Sequence, residues 1–362
     1  MSLRSVLDAF DGSLPLTQAC TIPAEWYVSP AVADAERDSV FGRNWIVIGR
    51  AEQLATPGDY VTAEVAGRPL LVVRGTDGVL RAFLNVCRHR AAPILNEPCG
   101  RVTKLRCRYH GWTYDLAGKL RGTPEFDGVA NFCKEDNGLA EIAVAVWGPL
   151  VAVSVQSPSR DFAQQLAPIP ERVGGGLDRL TFAMRRKYEL ACNWKVFVDN
   201  YLDGGYHVNT VHPGLAGLLD YSQYRTETYE WTSLQSSPLQ GNDGSARPGK
   251  TAQYWYVFPN LMLNIYDGVA DVNLVLPLSP NRCRVIFDFF FADEGVPAEI
   301  AFRDRSIATA NEIQMEDAGI CEEVQRGLAS GAFTTGRFSV KRENAAYHFH
   351  QLLAQTLRSG IS

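Results

Sequence analysis

The feature that most constrains this chain of 362 residues is a pair of short loops, each with one cysteine and one histidine. Cys87 and His89 form a Cys-x-His loop, and after seventeen further residues Cys107 and His110 form a Cys-x2-His loop. The four residues fit either a structural zinc ion or a cluster of two irons and two sulfides. Zinc sites usually group two cysteines and then two histidines, whereas here each loop carries one of each. The mixed order favours the cluster, with two cysteines at one iron and two histidines at the other.

The charges around this site are expected to tune the cluster. Neutral histidines in place of two thiolates raise the reduction potential relative to an all-cysteine cluster. Four arginines stand beside the ligands and would also favour the reduced, more negative state. They are Arg88, Arg90, Arg106 and Arg108. The loops therefore predict an electron-carrying domain.

The residues around the two loops predict a small antiparallel β domain over about 42–155. Short apolar runs alternate with turns, and Asp77-Gly78 is a strong hairpin signal. The predicted strands are 45–48, 60–65, 70–74, 79–84, 112–116, 119–121 and 147–155. Ser29-Pro30 precedes this domain and predicts the start of a helix over 31–42.

A second pair of histidines lies in the stretch 193–213. His207 and His212 are five residues apart, with two carboxylates just upstream. Five residues put about 140° between two side chains on a straight helix. Both can face one metal only if the helix bends or ends between them, which Pro213 favours. Two imidazoles and a carboxylate form the ligand set of a non-haem ferrous oxygenase site, but the pair alone also fits ordinary surface or core histidines.

The second half of the chain predicts an α+β domain. Apolar strand patterns cover 226–234, 253–258, 261–266, 269–277 and 282–291, and helical patterns cover 297–328 and 342–357. Helices packed on one side of an antiparallel sheet give this class. We therefore assign 1–41 and 156–362 to one catalytic domain.

Composition excludes several classes of protein. The apolar fraction of 46% and the charged fraction of 21% are those of a soluble globular protein. A net charge of −5 provides no basic field for nucleic acid or an anionic membrane. No apolar run approaches membrane-spanning length, and the first residues lack a signal-peptide core. Eight dispersed cysteines do not form a disulfide framework, so a cytoplasmic protein is expected.

Taken together, the two motifs resemble the oxygenase (alpha) component of Rieske non-haem iron oxygenases over nearly the whole chain. The resemblance implies a Rieske [2Fe-2S] domain and a catalytic domain of helix-grip type. It implies that His207, His212 and Asp317 hold a mononuclear Fe(II). Asp317 follows from the resemblance alone, because many acidic residues surround it on the predicted helix over 297–328.

Within this family the chain is most similar to oxygenases of quaternary ammonium compounds, of the choline monooxygenase type. The segments that carry the similarity are 199–208, 258–260, 273–278, 321–328 and 348–350. The resemblance implies O2-dependent hydroxylation or N-demethylation next to the nitrogen of a choline-, betaine- or carnitine-like substrate. It also implies a homotrimer and a separate flavin/iron–sulfur reductase that supplies electrons from NAD(P)H.

One position departs from many relatives, which have a carboxylate three residues before the first iron histidine. There it bridges to a cluster histidine of the neighbouring subunit. Here that position is Gly204, and Asp203 lies one residue earlier, about 100° around a helix. We predict Asp203 as the bridge, with Asp199 as the next candidate, and Asn200 as a further catalytic residue.

Aromatic side chains are the candidates for substrate binding. A quaternary ammonium group cannot donate hydrogen bonds, so its site must use ring faces and a distant negative charge. Strand alternation puts Tyr254, Tyr256 and Phe258 on one face and Trp255 on the other. Tyr266 and Phe290 lie on neighbouring predicted strands. We expect at least two rings above the iron, while the alternative is that these residues pack the core.

Two other functions remain open at this point. An aromatic-ring hydroxylating dioxygenase or O-demethylase would use the same metal centres with an apolar pocket. A Rieske electron carrier or a small-molecule binding protein would have the cavity without the iron.

Overall fold

The computed structural model describes residues 2–212, 219–240, 246–292 and 295–361. It divides into two compact units, one formed by Phe41–Phe162 and the other by the residues before 41 and after 162. Pro213, which the sequence associates with the end of a helix, lies outside the described residues. In the described part of the chain, no helix combines the length and the apolar character needed to cross a membrane.

The Phe41–Phe162 unit consists of antiparallel sheets. Its strands are β1 Ile46–Arg50, β2 Asp59–Val65, β3 Arg68–Arg74, β4 Leu80–Leu84, β5 Cys99–Arg101, β6 Leu105–Arg106, β7 Thr113–Tyr114, β8 Leu120–Gly122, β9 Glu141–Trp147 and β10 Leu150–Ser154, with 3₁₀ turns at Ala51–Leu54 and Glu135–Asn137. The larger sheet has the order β1-β10-β9-β4-β3-β2-β5, and β6-β7-β8 form a small second sheet.

The prediction of a single last strand over 147–155 is wrong. Trp147 pairs with Leu150, so only two residues separate β9 from β10. Gly148 has φ +52°, a left-handed conformation that glycine adopts without strain and that closes a tight hairpin. The apolar run therefore belongs to two strands.

The helices in the described residues are mostly short, apart from two near the end of the chain. They are α1 Leu3–Asp8, α2 Glu25–Val28, α3 Pro30–Glu36 followed by a π-helical turn Arg37–Phe41, α4 Phe162–Leu166, α5 Ile169–Val173 followed by a 3₁₀ turn Gly174–Arg179, α6 Trp194–Tyr201, α7 Val208–Val211, a 3₁₀ turn Tyr221–Gln223, α8 Pro297–Ala329 and α9 Asn344–Gly360.

The second unit is built on one seven-stranded antiparallel sheet with the order β11-β17-β16-β15-β14-β13-β12. Its strands are β11 Thr181–Leu190, β12 Arg225–Thr228, β13 Thr232–Pro238, β14 Thr251–Val257, β15 Leu261–Tyr266, β16 Val269–Ser279 and β17 Arg282–Phe291. Helix α6 packs against β16, β17 and α8. The predicted α+β class, with helices packed on an antiparallel sheet, is confirmed.

The predicted strand over 226–234 is divided by a turn. The amide of Tyr229 donates to the carbonyl of Thr232 at 2.8 Å, which reverses the chain between β12 and β13. The sequence Tyr229-Glu230-Trp231 contains neither glycine nor proline. It therefore offers no turn signal of the kind that sequence patterns use.

Helix α6 is fixed at its first turn by buried polar contacts. Asn193 caps the helix by accepting from the amide of Lys195 at 3.0 Å, and its side-chain amide donates to the carbonyls of Tyr27 and Pro280. Lys195 is fully buried and pairs with Glu36 at 2.5 Å. Because a buried charge without a partner is very costly, this pair holds the helix in one position.

Candidate metal centres

The two cysteine–histidine loops have the same backbone design. The carbonyl of Cys87 accepts from the amide of Ala91 at 2.9 Å, and the carbonyl of Cys107 accepts from the amide of Gly111 at 3.0 Å. Ala91 and Gly111 have φ angles of +60° and +72°. In each loop the fifth residue is thus left-handed, and its amide closes a tight turn onto the carbonyl of the cysteine.

Buried cysteines and accessible histidines make up this first site. Cys87 and Cys107 lie in the apolar core of the unit, and each thiol is adjacent to the other. His89 is half-buried and His110 is exposed. Their Nδ1 atoms face each other at 3.1 Å, and the ring of Trp112 stacks on His89 with a centroid distance of 4.9 Å.

Like ligands are neighbours at this first site. The two thiols lie next to each other, and the two imidazoles lie next to each other. This pairing agrees with a two-iron cluster in which two cysteines hold one iron and two histidines hold the other.

Tyr114 lies beside the thiol pair. Its hydroxyl is 3.5 Å from Cys87 Sγ and accepts from the amide of Arg88 at 3.0 Å. Burial, followed by the neighbouring Cys87, raises the pKa of Tyr114, so the hydroxyl keeps its proton. It can donate to a cysteine sulfur, a contact that tunes the potential of such clusters.

The second site begins where α6 ends. Gly204 and Gly205 have φ angles of +71° and +70°. A Cβ on Gly204 would lie 2.1 Å from the carbonyl oxygen of Arg342, so only glycine fits this turn. The short helix α7 follows, with His207 immediately before it and His212 immediately after it. The helix is therefore interrupted by two glycines upstream of both histidines, and His212 is already non-helical.

Three ligand atoms from distant parts of the chain meet in this site. His207 Nε2 is 3.0 Å from His212 Nε2, and Asp317 Oδ1 is 3.1 Å from His212 Nε2 and 3.6 Å from His207 Nε2. Separations of this size are those of ligands around one ion with bonds of about 2.0–2.2 Å. Two neutral imidazoles and one carboxylate on one side suit Fe(II) with open positions.

Carboxylates hold both imidazoles from behind. Asp203 Oδ2 is 2.6 Å from Nδ1 of His207, and Glu316 Oε2 is 2.6 Å from Nδ1 of His212. An ionised carboxylate only accepts, so each Nδ1 carries the proton and each Nε2 presents its lone pair to the centre. Asn200 donates to Asp317 Oδ1 at 2.7 Å. Sequence reasoning did not assign a role to Glu316, although its place beside Asp317 was a signal.

Asp199 belongs to a different network. It accepts from the hydroxyl of Tyr27 at 2.5 Å and contacts His350 Nε2 at 2.8 Å. His350 Nδ1 accepts from the amide of Ile22, so Nε2 carries the proton and donates to Asp199. These contacts tie α6 to α9 and to the N-terminal segment, and they leave Asp203 as the acid bonded to His207.

A cavity opens beside the three ligands and is rich in aromatic rings. The rings that line it belong to Phe197, Tyr201, Tyr224, Tyr254, Tyr266 and Phe287. Asn200, Asp203, His207, His212 and Asp317 line the same cavity. Burial is the largest cause of a raised pKa at both Tyr254 and Tyr266, so both remain neutral.

The six predicted substrate residues are distributed over several places. Tyr254 and Tyr266 line the cavity, and their hydroxyls are 3.3 Å apart. The other four are not among the residues that line it. Trp255 stacks on Tyr229, Tyr256 and Phe258 pack on Phe349, and Phe290 packs on Phe182. Sequence reasoning did not predict the other lining rings, those of Phe197, Tyr201, Tyr224 and Phe287. Only Tyr201 could have been suspected, because it directly follows the predicted catalytic residue Asn200.

Two family models match this chain. A Rieske [2Fe-2S] domain matches residues 44–133, and the catalytic domain of the ring hydroxylating alpha subunit matches residues 177–359. The first range contains all four predicted cluster ligands, and the second contains His207, His212 and Asp317.

Similar proteins and structures span nearly the whole chain. Choline monooxygenase of Arabidopsis thaliana, a chloroplastic protein, is 39% identical, covering 98% of this chain and 87% of its own length. The carnitine monooxygenase oxygenase subunit of Acinetobacter baumannii is 29% identical, covering 93% of this chain and 95% of its own. A crystal structure of the quaternary ammonium Rieske monooxygenase CntA with L-carnitine has a TM-score of 0.83 at 29% identity, covering 93% and 96%. Naphthalene 1,2-dioxygenase from Rhodococcus sp., 20% identical with a TM-score of 0.77, shares the fold.

Proposed function

Because this chain belongs to the ring hydroxylating alpha subunit family with a Rieske [2Fe-2S] domain, we propose that it oxidises a quaternary ammonium compound. It is an oxidoreductase that uses O2, and the proposed reaction is hydroxylation or N-demethylation at a carbon next to the cationic nitrogen. The substrate is choline-, betaine- or carnitine-like. The observation that carries the proposal is one cavity that is lined both by six aromatic rings and by two histidines and a carboxylate whose ligand atoms converge.

The physical argument rests on what a quaternary nitrogen can bind. It has no N–H group, so hydrogen-bond acceptors alone cannot recognise it. Each aromatic face within reach contributes about 0.5–2 kcal/mol to the binding of such a cation, with the larger values in dry sites. Four tyrosines and two phenylalanines line the cavity, and these rings are the groups that we assign to the quaternary nitrogen. The similar choline and carnitine monooxygenases agree with this chemistry.

The geometry supports an assignment of residues to both metal groups. We propose that Cys87 and Cys107 hold one iron of the cluster and that His89 and His110 hold the other. His207, His212 and Asp317 hold the mononuclear Fe(II). When bound, the cluster supplies single electrons and the Fe(II) supplies the activation of O2.

The chain's own side chains keep this centre in one state. Asp203 and Glu316 hold protons on the Nδ1 atoms of His207 and His212, which keeps each Nε2 free to act as a ligand. Asn200 donates to Asp317 Oδ1 and so fixes the orientation of that carboxylate. We also propose that Asp203 connects His207 to the cluster of a neighbouring subunit, in a homotrimer.

The partners are proposed on the same grounds. The chain provides a cluster domain and an oxygenase domain, so electrons from NAD(P)H require a separate reductase. All eight cysteines are free thiols, which agrees with a reducing compartment, and we propose the cytoplasm. The choline monooxygenase of Arabidopsis thaliana, by contrast, is a chloroplastic protein.

The alternatives receive less support. An aromatic-ring dioxygenase or O-demethylase would need an apolar cavity, whereas this one contains Arg247, Asp271, Asn273 and Gln314. The similarity to naphthalene dioxygenase concerns the fold alone. A Rieske electron carrier or a binding protein has no use for three converging ligands at a second site.

The test is NADH-driven O2 uptake by the holoenzyme with a surrogate reductase. The compounds tested are choline, glycine betaine, carnitine, benzoate and 3,3-dimethylbutanol, which is a neutral isostere of choline. We expect at least one quaternary ammonium compound to stimulate uptake with formation of an oxidised product. Turnover of benzoate or of the neutral isostere at the rate of the best ammonium compound would overturn the proposal.

A further inference from the structure

Three buried side chains of the cavity have polar atoms that accept or donate no well-formed hydrogen bond among the described residues. They are Asp271, Asn273 and Gln314, which are 0%, 2% and 1% exposed and line the cavity described above. The atoms are both carboxylate oxygens of Asp271, Oδ1 of Asn273 and both polar atoms of the Gln314 amide. Asp271 is not isolated, because its Oδ2 forms an ion pair with Arg247 Nη2 at 3.4 Å and the side chain of Asn264 lies nearby.

Such a group of atoms needs an explanation. Burying a polar atom without a partner destabilises the folded protein, and almost all buried polar atoms in native structures have one. Here all five of these atoms belong to residues that line the same cavity. Their location in the cavity indicates that a bound molecule provides the missing hydrogen bonds.

The fold brings the three residues together from two elements. Asp271 and Asn273 are two apart on β16 and therefore point to the same face of the sheet. Gln314 lies on α8 three residues before Asp317, so it is on the same face of the helix, one turn from the metal centre. A ligand in the cavity can thus contact these groups and the proposed iron site at the same time.

The chemistry of the unpartnered atoms selects the ligand. Four of the five are acceptor oxygens, so the missing partner carries a donor. Arg247 does not make the region suitable for a carboxylate, because its guanidinium donates to Ser306, lies over the ring of Tyr266 and sits next to Asp271. An anion that approached Arg247 would meet the carboxylate of Asp271 as well.

We propose that Asp271, Asn273 and Gln314 form a polar subsite that accepts a hydrogen bond from the hydroxyl of a cationic substrate. The subsite selects quaternary amino alcohols over zwitterions that carry a carboxylate. This inference rests on the proposed function and narrows its substrate class. The rings bind the trimethylammonium end, and the subsite binds the other end.

Calorimetric titration of the oxidised holoenzyme without reductase tests the subsite, since no turnover occurs. The probes are choline, its methyl ether (2-methoxyethyl)trimethylammonium, and glycine betaine. Loss of one buried hydrogen bond corresponds to an affinity change of about tenfold. We expect choline to bind about tenfold more tightly than the ether, and more tightly than glycine betaine.

Variants separate substrate binding from a structural role. Gln314→Met and Asn273→Leu keep the side-chain size and remove an unpartnered polar group. We expect both to raise the melting temperature of the ligand-free protein and to reduce the preference for choline over its ether. Ser233→Ala is the matched control, because Ser233 Oγ is also buried without a partner among the residues that the structure describes but does not line the cavity. It should raise stability and leave the preference unchanged.

Asp271→Asn removes the charge and keeps the shape. We expect it to reduce the preference for choline over glycine betaine, and if it does not fold, the Gln314 and Asn273 variants decide the question. Equal binding of choline and its ether by the wild-type protein would overturn the subsite while quaternary ammonium oxidation stands. Failure of every ammonium compound in the O2-uptake assay would instead overturn the proposed function itself.

Discussion

The two candidate metal centres differ in how they face water. At the cluster site the cysteines are buried, but His110 is exposed and His89 is half-buried. At the mononuclear site the side chain of His212 is 2% exposed and those of His207 and Asp317 are 20% and 15% exposed. The histidines of the first site are therefore accessible to solvent, whereas the three candidate ligands of the second site are mostly buried.

This difference corresponds to different physical tasks. A centre that passes electrons to another protein or subunit needs an accessible edge. A centre that activates O2 beside a substrate needs a cavity from which water is excluded, because a dry site strengthens electrostatic contacts and prevents side reactions. The contacts that support the ligands also differ between the two sites. At the mononuclear site, Asp203, Glu316 and Asn200 form hydrogen bonds with His207, His212 and Asp317. At the cluster site, His89 and His110 contact the rings of Trp112 and Tyr109.

Removing a ligand from one centre should leave the other intact, and this is the largest expected effect. Wild-type protein should contain about three irons and two acid-labile sulfides per chain. Cys87→Ser or His110→Ala should abolish the cluster absorbance, and His212→Ala should retain it and lose only the mononuclear iron. Activity should fall below detection in all three. Zinc without sulfide in anaerobically prepared protein would contradict both assignments.

Asp203→Asn tests the connection between the centres. The amide keeps the shape of the side chain but loses the charge that holds the proton on His207 Nδ1. We expect both metals to remain and the reductase to reduce the cluster normally, while single-turnover electron transfer to the iron slows by roughly 100-fold. Asp199→Asn is the comparison, since Asp199 contacts Tyr27 and His350 instead. Electron transfer from the cluster to the iron at the wild-type rate in the Asp203→Asn variant would show that Asp203 does not connect the two centres.

Glu316→Gln should have a smaller effect. Its carboxylate is 41% exposed and holds only the Nδ1 side of His212. Loss of such a supporting contact lowers metal affinity by about tenfold, measurable by competition with a chelator. Glu323→Gln on the same helix is the control, because Glu323 is exposed and pairs only with the exposed Arg326, at 3.7 Å, among the ion pairs of the described residues. Equal iron affinity in the two variants would show that Glu316 does not support His212.

The candidate cluster ligands could be proposed from the sequence because they lie close together in the chain. Each loop places a cysteine and a histidine within four residues, and the left-handed fifth residue completes the turn. Two repeats of such a local pattern are improbable by chance. The candidate aspartate ligand of the other site is 105 residues beyond His212, and only the family resemblance singled it out.

The cavity was the least predictable part. Strand alternation placed Tyr254 and Trp255 on opposite faces, as the structure has them, but alternation does not show which part of a face a helix covers. Tyr256 shares the face of Tyr254 and is nevertheless packed on Phe349 of α9. Tyr224 and Phe287 reach the cavity through tertiary packing that no local pattern reports.

The smallest expected effect concerns the backbone of the two loops. Ala91 holds at φ +60° the conformation that Gly111 holds in the second loop. A left-handed conformation costs an L-residue about 1–2 kcal/mol, and glycine costs roughly 0.5–1 kcal/mol in lost chain entropy. Ala91→Gly should therefore increase the free energy of unfolding by up to about 1 kcal/mol, measured by denaturant titration, without change in the cluster spectrum.

Ala66→Gly, at φ +55° in the turn between β2 and β3, is the control for strain relief away from the metal. If Ala91→Gly lowers the free energy of unfolding while Ala66→Gly raises it, the methyl group of Ala91 makes a stabilising contact in its loop. The two cysteine–histidine loops would then share their backbone conformation but not the packing of their fifth residue.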